Sequence, residues 1–416
     1  MAPEDFLPAS VFRLTDGKPF PPTSPKLDAS KTKITRTETP KQVPALDAPE
    51  LSAHNIFTDH MVYVRWTAAS GWEDPTIIPH GPLSLPPSAS VLHYATACFE
   101  GMKAYRGHDG KLRLFRPWHN TARMLASAAR ISLPSFDPDE LLMLIHQLCA
   151  LDAPRWLPST AAGSSLYIRP TIVGTDDSLG FQGPRAAILF IIMSYWPSPV
   201  VSDGGASAGA GVGLRLRTSD KDTVRAWPGG SGSAKLAANY GPSILAHTQA
   251  KRHGCDHVLW LLGCDGRVTE AGAMNFFVIW RTEKGLLQLV TPSLDEHTIL
   301  AGVTRQSVLD LARERLSLSA SVDLPNGVEP VETVECIFTI HDIAKAAEEG
   351  KLVASFGVGT AASVVPVGEI HHESKKIVVE SNASPHISLL RRWMANITCG
   401  REQSSWTDVV DESGSL

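Results

Sequence analysis

Between Ser198 and Gly213 the chain reads SPVVSDGGASAGAGVG, a run too small and too rich in glycine to hold a helix or a strand. It breaks the 416 residues into two blocks, each with its own alternation of short apolar runs and turn residues. A chain this long exceeds what one hydrophobic core supports, so two domains are expected. The expected division is an extended arm over 1–50, a smaller α+β domain over 51–197, a connection at 198–213 and a larger domain over 214–416 that ends in a polar tail.

Prolines in FPPTSPK and ETPKQVPALDAPE keep the arm from forming a regular helix. In the first domain HMVYVRW and KLRLFR have strand character, whereas TARMLASAARI and DELLMLIHQLCALD repeat their apolar residues at helical spacing. AAILFIIM at 186–193 is a buried strand, because crossing a bilayer would take about 20 apolar residues. In the second domain HVLWLLG, NFFVIW and LLQLVTP are short strands and AGVTRQSVLDLARERL is a helix. KLVASFGVGTAASVVPV is strand, loop and strand.

Composition narrows the function classes. A hydrophobic fraction of 43% and a charged fraction of 19% are those of an ordinary globular protein. The net charge of -5, with no basic cluster, speaks against nucleic acid. Six scattered cysteines without a CxxC pair do not make a disulfide framework, and a reducing compartment is expected. MAPEDFLPASVF carries acids and has neither a signal-peptide core nor an arginine-rich pattern, so the cytosol is expected, with a mitochondrial address as the alternative.

Three stretches carry candidate chemistry. GGSGSAKLAANYG at 229–241 sets Lys235 among small residues, with Tyr240 five positions on. Taken alone it is either a glycine-rich turn with an incidental lysine or an amine that a ligand must approach. Burial there would favour the neutral amine, which condenses with an aldehyde. In TEAGAMNFF, Glu270 leads into an apolar strand, as a carboxylate in water or as an acceptor for a protonated ring nitrogen. In LAGVTRQSV, Gly302 to Thr304 open a helix whose first amides and dipole attract phosphate. In FGVGTAAS, Gly357 and Gly359 admit close backbone approach. With Ala362 they match GxGxxA, but no helix follows, so a phosphate-binding turn is favoured over a dinucleotide site. EIHHES at 369–374 is expected to be a solvated polar turn, and no metal is expected.

FEGMKAYRG at 99–107, SLYIRPTIVGTDDSLG at 165–180, VRAWPGGSGSAKLAANYG, VTEAGAMNFF, AGVTR and FGVGTA stand in one order along the chain. In that order and spacing, from Phe57 to GREQSSWTDVV, the chain resembles the branched-chain amino acid aminotransferases. These are class IV enzymes of fold-type IV that use pyridoxal 5′-phosphate. The resemblance implies a two-domain α+β fold like that of D-amino acid aminotransferase, with the active site at the domain interface. It implies transamination of leucine, isoleucine and valine with 2-oxoglutarate by a ping-pong cycle, in at least a homodimer, with small-molecule partners and no membrane. The alternatives are a fold-type IV enzyme using a D-amino acid or an (R)-amine, and a PLP-binding protein without turnover.

By the same resemblance, Lys235 is the Schiff-base lysine and moves the proton between substrate Cα and cofactor C4′. Tyr240 bonds the 3′-oxygen and Glu270 keeps the pyridine nitrogen protonated. Arg130, Val303, Thr304 and Thr360 hold the phosphate. Tyr94, Phe99, Tyr167 and Arg169 line the substrate pocket, and Tyr167 with the amides of Thr360 and Ala361 forms the α-carboxylate site. Leu179 and Phe181 reach into the other subunit. Two positions depart from the family: Ala273, where threonine is common, and Phe181, where valine is frequent. These are the places to expect a changed side-chain preference. No cysteine pair follows the GTA motif, so a thiol switch there is not expected.

Overall fold

The computed structural model of the chain describes residues 25–45, 48, 51, 53–196, 213–320 and 324–413. Apart from Gly213 the expected connection at 198–213 lies outside the described residues, as do residues 1–24 of the arm and 414–416 of the tail. The chain forms two units.

In the first unit the strands are β1 (Lys33–Ile34), β2 (His60–Thr67), β3 (Gly71–Trp72), β4 (Thr76–Pro79), β5 (Ala97–Phe99), β6 (Met102–Arg106), β7 (Leu112–Phe115), β8 (Ser165–Gly174) and β9 (Ala186–Tyr195). They run in the spatial order β1-β4-β2-β9-β8-β6-β7, with β3 on β2 and β5 on β8. Part of the expected arm is thus a strand, since Lys33 and Ile34 pair with Thr76 and Ile77. The helices are α1 (Ser90–Tyr94), α2 (Pro117–Arg130) and α3 (Pro138–Trp156). Proline opens both α2 and α3, where its missing N–H costs nothing. Asp137 caps α3 by accepting from the Asp139 amide. Met124 and Ala128 of α2 and Leu141, Leu144, Ile145 and Leu148 of α3 share a core with Leu166, Ile168 and Leu189 of the sheet. Because side chains alternate along a strand, Tyr167 and Arg169 of β8 face away from that core.

In the second unit the strands are β10 (Leu214–Thr218), β11 (His257–Leu262), β12 (Arg267–Ala271), β13 (Met274–Arg281), β14 (Leu287–Thr291), β15 (Val331–Glu335), β16 (Leu352–Gly359), β17 (Ser363–His372) and β18 (Lys375–Val378). The pairings β10-β11-β12-β13-β16-β17-β10 close a ring, which leaves those strands without free edges. Leu259, Phe276, Val278, Val367 and Ile370 form its apolar core. The α-helices in this half of the sequence are α4 (Ser243–Arg252), α5 (Val303–Arg315), α6 (Ile340–Glu348) and α7 (Pro385–Thr398). The histidines expected in a polar turn stand instead at the end of β17, where His371 meets Glu369 and His372 meets the Thr218 hydroxyl. No cluster of three or more metal-ligating side chains occurs among the described residues.

The stretch expected as one domain over 214–416 is interrupted twice, because Ala234–Ala238 and the residues from Asn396 onward belong to the first unit. There β19 (Thr407–Val409) pairs antiparallel with β7. The segment is anchored as far as Glu412: Val410 is buried, and both oxygens of Glu412 take hydrogen bonds from the buried Arg106, at 2.5 and 2.7 Å. Glu412→Ala leaves that guanidinium short of its counter-charge. It should destabilise the protein by about 2 kcal/mol. Urea denaturation checks this, and a change below about 0.5 kcal/mol, the size of an ordinary surface effect, would mean that the end of the chain is not anchored there.

Candidate active site

In the first unit, Lys235 is held by its backbone at both sides. Its N–H donates to the Ser127 hydroxyl at 2.9 Å, and its carbonyl accepts from the Phe99 amide at 3.1 Å. Ala234 and Leu236 are buried in the core, and Leu236 bridges to Cys98. The small residues around the lysine therefore fit a strand-like segment against β5. The side chain is half-buried rather than buried, with Nζ over the Phe99 ring at 5.0 Å from its centroid. On the other side of the loop, the Ser231 hydroxyl and the Asn239 side chain are hydrogen-bonded within the second unit.

One stripe of α2 carries the supports for this segment. Asn120, Arg123, Ser127 and Arg130 are spaced three, four and three apart and share a helix face. Asn120 and Arg123 both bind the carboxylate of Glu100, which is fully buried next to Phe99. Burial alone would raise the Glu100 carboxyl, but the charge and hydrogen bonds of Arg123 outweigh it and hold the group below the usual carboxylate range. Lys235 and Asn120 lower it further. Arg130 is exposed at the end of the helix, one turn beyond Ser127.

Phe99, Tyr167 and Arg169 come together beside Lys235. The Arg169 guanidinium lies over the Phe99 ring at 4.7 Å and the Tyr167 ring at 5.2 Å. Its Nε is buried with no hydrogen-bond partner among the described residues. Close by, Lys103 of β6 pairs in register with Tyr167 and lies over the Trp196 ring at 5.6 Å. Burial lowers its ammonium to about 8. Sequence reasoning missed Lys103, although a lysine between Met102 and Ala104 in a strand was a signal. Tyr94 does not join this group. It sits with Leu179 and Phe181 instead: its hydroxyl donates to the Leu179 carbonyl at 2.6 Å, and its ring meets Phe181 edge-on at 5.6 Å.

In the second unit, Glu270 ends the open question about its setting, for it is 2% exposed and cannot be a carboxylate in water. Oε1 accepts from the Leu300 amide at 2.8 Å and from Asn275 at 3.3 Å, and Oε2 pairs with the buried side chain of Arg225 at 3.0 Å. Arg225 and Asn275 were also missed: Arg225 is remote in sequence, whereas Asn275 pairs with Glu270 across the tight β12–β13 turn, a hairpin spacing that was a signal. Asn275 further donates to the Leu300 carbonyl, and a Cβ at Gly302 would strike the Asn275 oxygen. Glycine is thereby required at the N-cap of α5, and no side chain caps that helix. Val303 and Thr304, both buried, open it with amides aimed along the axis. Ala273 lies in the β12–β13 turn, where Gly272 adopts φ 59°. Thr360 and Ala361 lie in the β16–β17 turn. Since β13 pairs with both β12 and β16, these turns occupy the same end of the ring as Glu270. Tyr240 stands just before α4, its carbonyl accepting from the Ser243 hydroxyl at 2.6 Å.

The first unit presents an amine over a ring, and the second a buried carboxylate and, at α5, a helix start without a side-chain cap where only glycine fits. Comparison with known proteins assigns the family. Residues 97–370 match the class IV amino-transferase family. The cytosolic branched-chain-amino-acid aminotransferase of Mus musculus is 44% identical over 84% of this chain and 86% of its own length. The mitochondrial one of Schizosaccharomyces pombe is 39% identical over 91% and 84%. Among solved structures, the branched-chain amino acid aminotransferase of Escherichia coli has a TM-score of 0.61 at 22% identity, over 85% of this chain and 99% of its own. The chain belongs to the branched-chain amino acid aminotransferase family of the class IV aminotransferases, and its α+β fold is fold-type IV. These relatives' names include both cytosolic and mitochondrial forms. No helix among the described residues is long and apolar enough to cross a membrane.

Proposed function

We propose that this protein exchanges the amino group of branched-chain L-amino acids with 2-oxoglutarate, using pyridoxal 5′-phosphate and working as a homodimer. The observation that carries the reading is Lys235, fixed by its backbone with its amine over Phe99 beside Tyr167 and Arg169. When bound, the cofactor supplies a carbonyl that takes up the amino group and a ring that withdraws electrons from the substrate Cα. Lys235 takes the proton from Cα and returns it on the other side of the exchange. Glu270, paired with Arg225, holds a proton at the ring nitrogen, and Tyr240 bonds the 3′-oxygen. The first amides of α5 at Val303 and Thr304, with Thr360 and Arg130, hold the phosphate. Phe99 offers apolar surface to a branched side chain, while Tyr167 and the orphaned Nε of Arg169 suit a substrate carboxylate, assisted by the amides of Thr360 and Ala361.

A second subunit is supported by Leu179 and Phe181, which are 64% and 92% exposed. Large apolar side chains grouped on a surface mark a contact with another chain. Tyr94 is bonded to that loop, so all three would enter the partner's pocket together.

A donor panel tests both parts. Purified protein should transaminate leucine, isoleucine and valine with 2-oxoglutarate; absence of all three activities overturns the function. Phe181→Val should reorder valine, isoleucine, leucine, methionine and phenylalanine, since pocket contacts of this kind change discrimination by about 1–3 kcal/mol. If all donor ratios in kcat/KM agree within about twofold, well short of the tenfold that 1.4 kcal/mol represents, Phe181 does not face substrate.

A further inference from the structure

Glu100 and Arg123 have no part in the chemistry above, yet they make the most completely buried ion pair beside the candidate site. Glu100 is 0% and Arg123 4% exposed. The guanidinium Nε donates to Oε1 at 2.6 Å and Nη2 to Oε2 at 2.8 Å. Asn120 and the Gly101 amide donate to Oε2 at 2.8 and 3.1 Å. The Arg123 and Asn120 bonds thus tie the junction of β5 and β6 to α2. β5 and α2 are also the elements that hold Lys235, through the Phe99 amide and the Ser127 hydroxyl.

We propose that Glu100 and Arg123 are positioning residues for Lys235: they lock together the strand and the helix that hold its backbone, and they present its amine with a buried pair whose charges cancel. The proposal rests on the reading of Lys235 as the reacting amine. The Lys235 charge is among those that hold the Glu100 carboxyl low, and Glu100 directly follows Phe99, over whose ring the Lys235 amine sits. The Arg169 guanidinium shares the Phe99 ring with that amine and lies over the Tyr167 phenol, with which Lys103 pairs in register, and Arg123 pairs with Glu100 itself. The two guanidinium groups stay charged at any working pH. Without Glu100 the amine would face unopposed positive charge, and without Arg123 it would face an unopposed carboxylate.

The two single variants therefore differ in sign. The full-length chain, stripped of cofactor, is labelled with acetic anhydride across a pH series, and the Lys235 peptide is followed by mass spectrometry against the exposed Lys345. Glu100→Gln should move the Lys235 labelling midpoint down by about one pH unit, and Arg123→Met should move it up by about as much. The double variant should return it to the wild-type value. A purely structural pair would perturb both singles in one direction and the double most of all; that pattern, or two unmoved midpoints, overturns the proposal. Should one single variant fail to fold, the other and the double still carry signed expectations. Borohydride reduction of the PLP-loaded protein separates the two readings. Fixation at another lysine overturns the role of Lys235 itself, whereas fixation at Lys235 with unmoved midpoints overturns only the pair.

Discussion

Lys235→Ala should abolish transamination while leaving the fold intact. The backbone bonds to Ser127 and Phe99 do not involve the side chain, and the buried neighbours Ala234 and Leu236 are untouched. The melting temperature should therefore stay within a degree or so of wild type, as for a change that removes little buried surface. The loss is chemical, because both the covalent link to the cofactor and the proton carrier at Cα disappear. General acid–base catalysis alone contributes up to about 10⁴-fold, or roughly 5.5 kcal/mol at 1.36 kcal/mol per tenfold. Borohydride should no longer fix the cofactor to the chain. Turnover within about tenfold of wild type would show that another group moves the proton.

Glu270→Gln should cost both rate and stability, which separates it from Lys235→Ala. A neutral amide cannot hold the ring nitrogen protonated, so kcat with L-valine should fall by at least about a hundredfold. The amide also has one oxygen where the carboxylate had two, and both are in use: one by Leu300 and Asn275, the other by Arg225. The Arg225 side chain is only 4% exposed and would be left without its counter-charge. Breaking one partner of a buried pair costs about 3 kcal/mol. The double variant Glu270→Gln/Arg225→Met should recover much of that stability and none of the rate. Denaturation and steady-state kinetics on the three proteins decide this. A rate within about threefold of wild type for Glu270→Gln would remove Glu270 from the chemistry.

Much of this protein was legible along the chain, and what was legible is local. The period of apolar residues marked α2, α3 and α5 and the strands β2, β9, β11, β13, β16 and β17, since alternation and helical spacing follow from the geometry of each element alone. Small-residue runs marked Lys235, the glycine N-cap at Gly302 and the β16–β17 turn, because close backbone approach excludes side chains wherever it occurs. Motifs in fixed order supplied the family.

What the tertiary structure decided is who meets whom at long range. Glu270 and Arg225 lie 45 positions apart by their numbers and Glu100 and Arg123 lie 23 apart, and no local rule pairs them. Their meeting depends on strand register and on how α2 lies over the sheet, which many distant contacts set jointly. The same holds for Tyr94, drawn to the Leu179 loop across 85 residues, and for Glu412, which reaches Arg106 across 306. A segment's own composition fixes its period and its turns. Its partner is chosen by whichever buried charge or open strand edge the rest of the fold brings within reach, and a buried charge must find one because leaving it unpaired costs several kcal/mol, on the order of a large part of the whole stability.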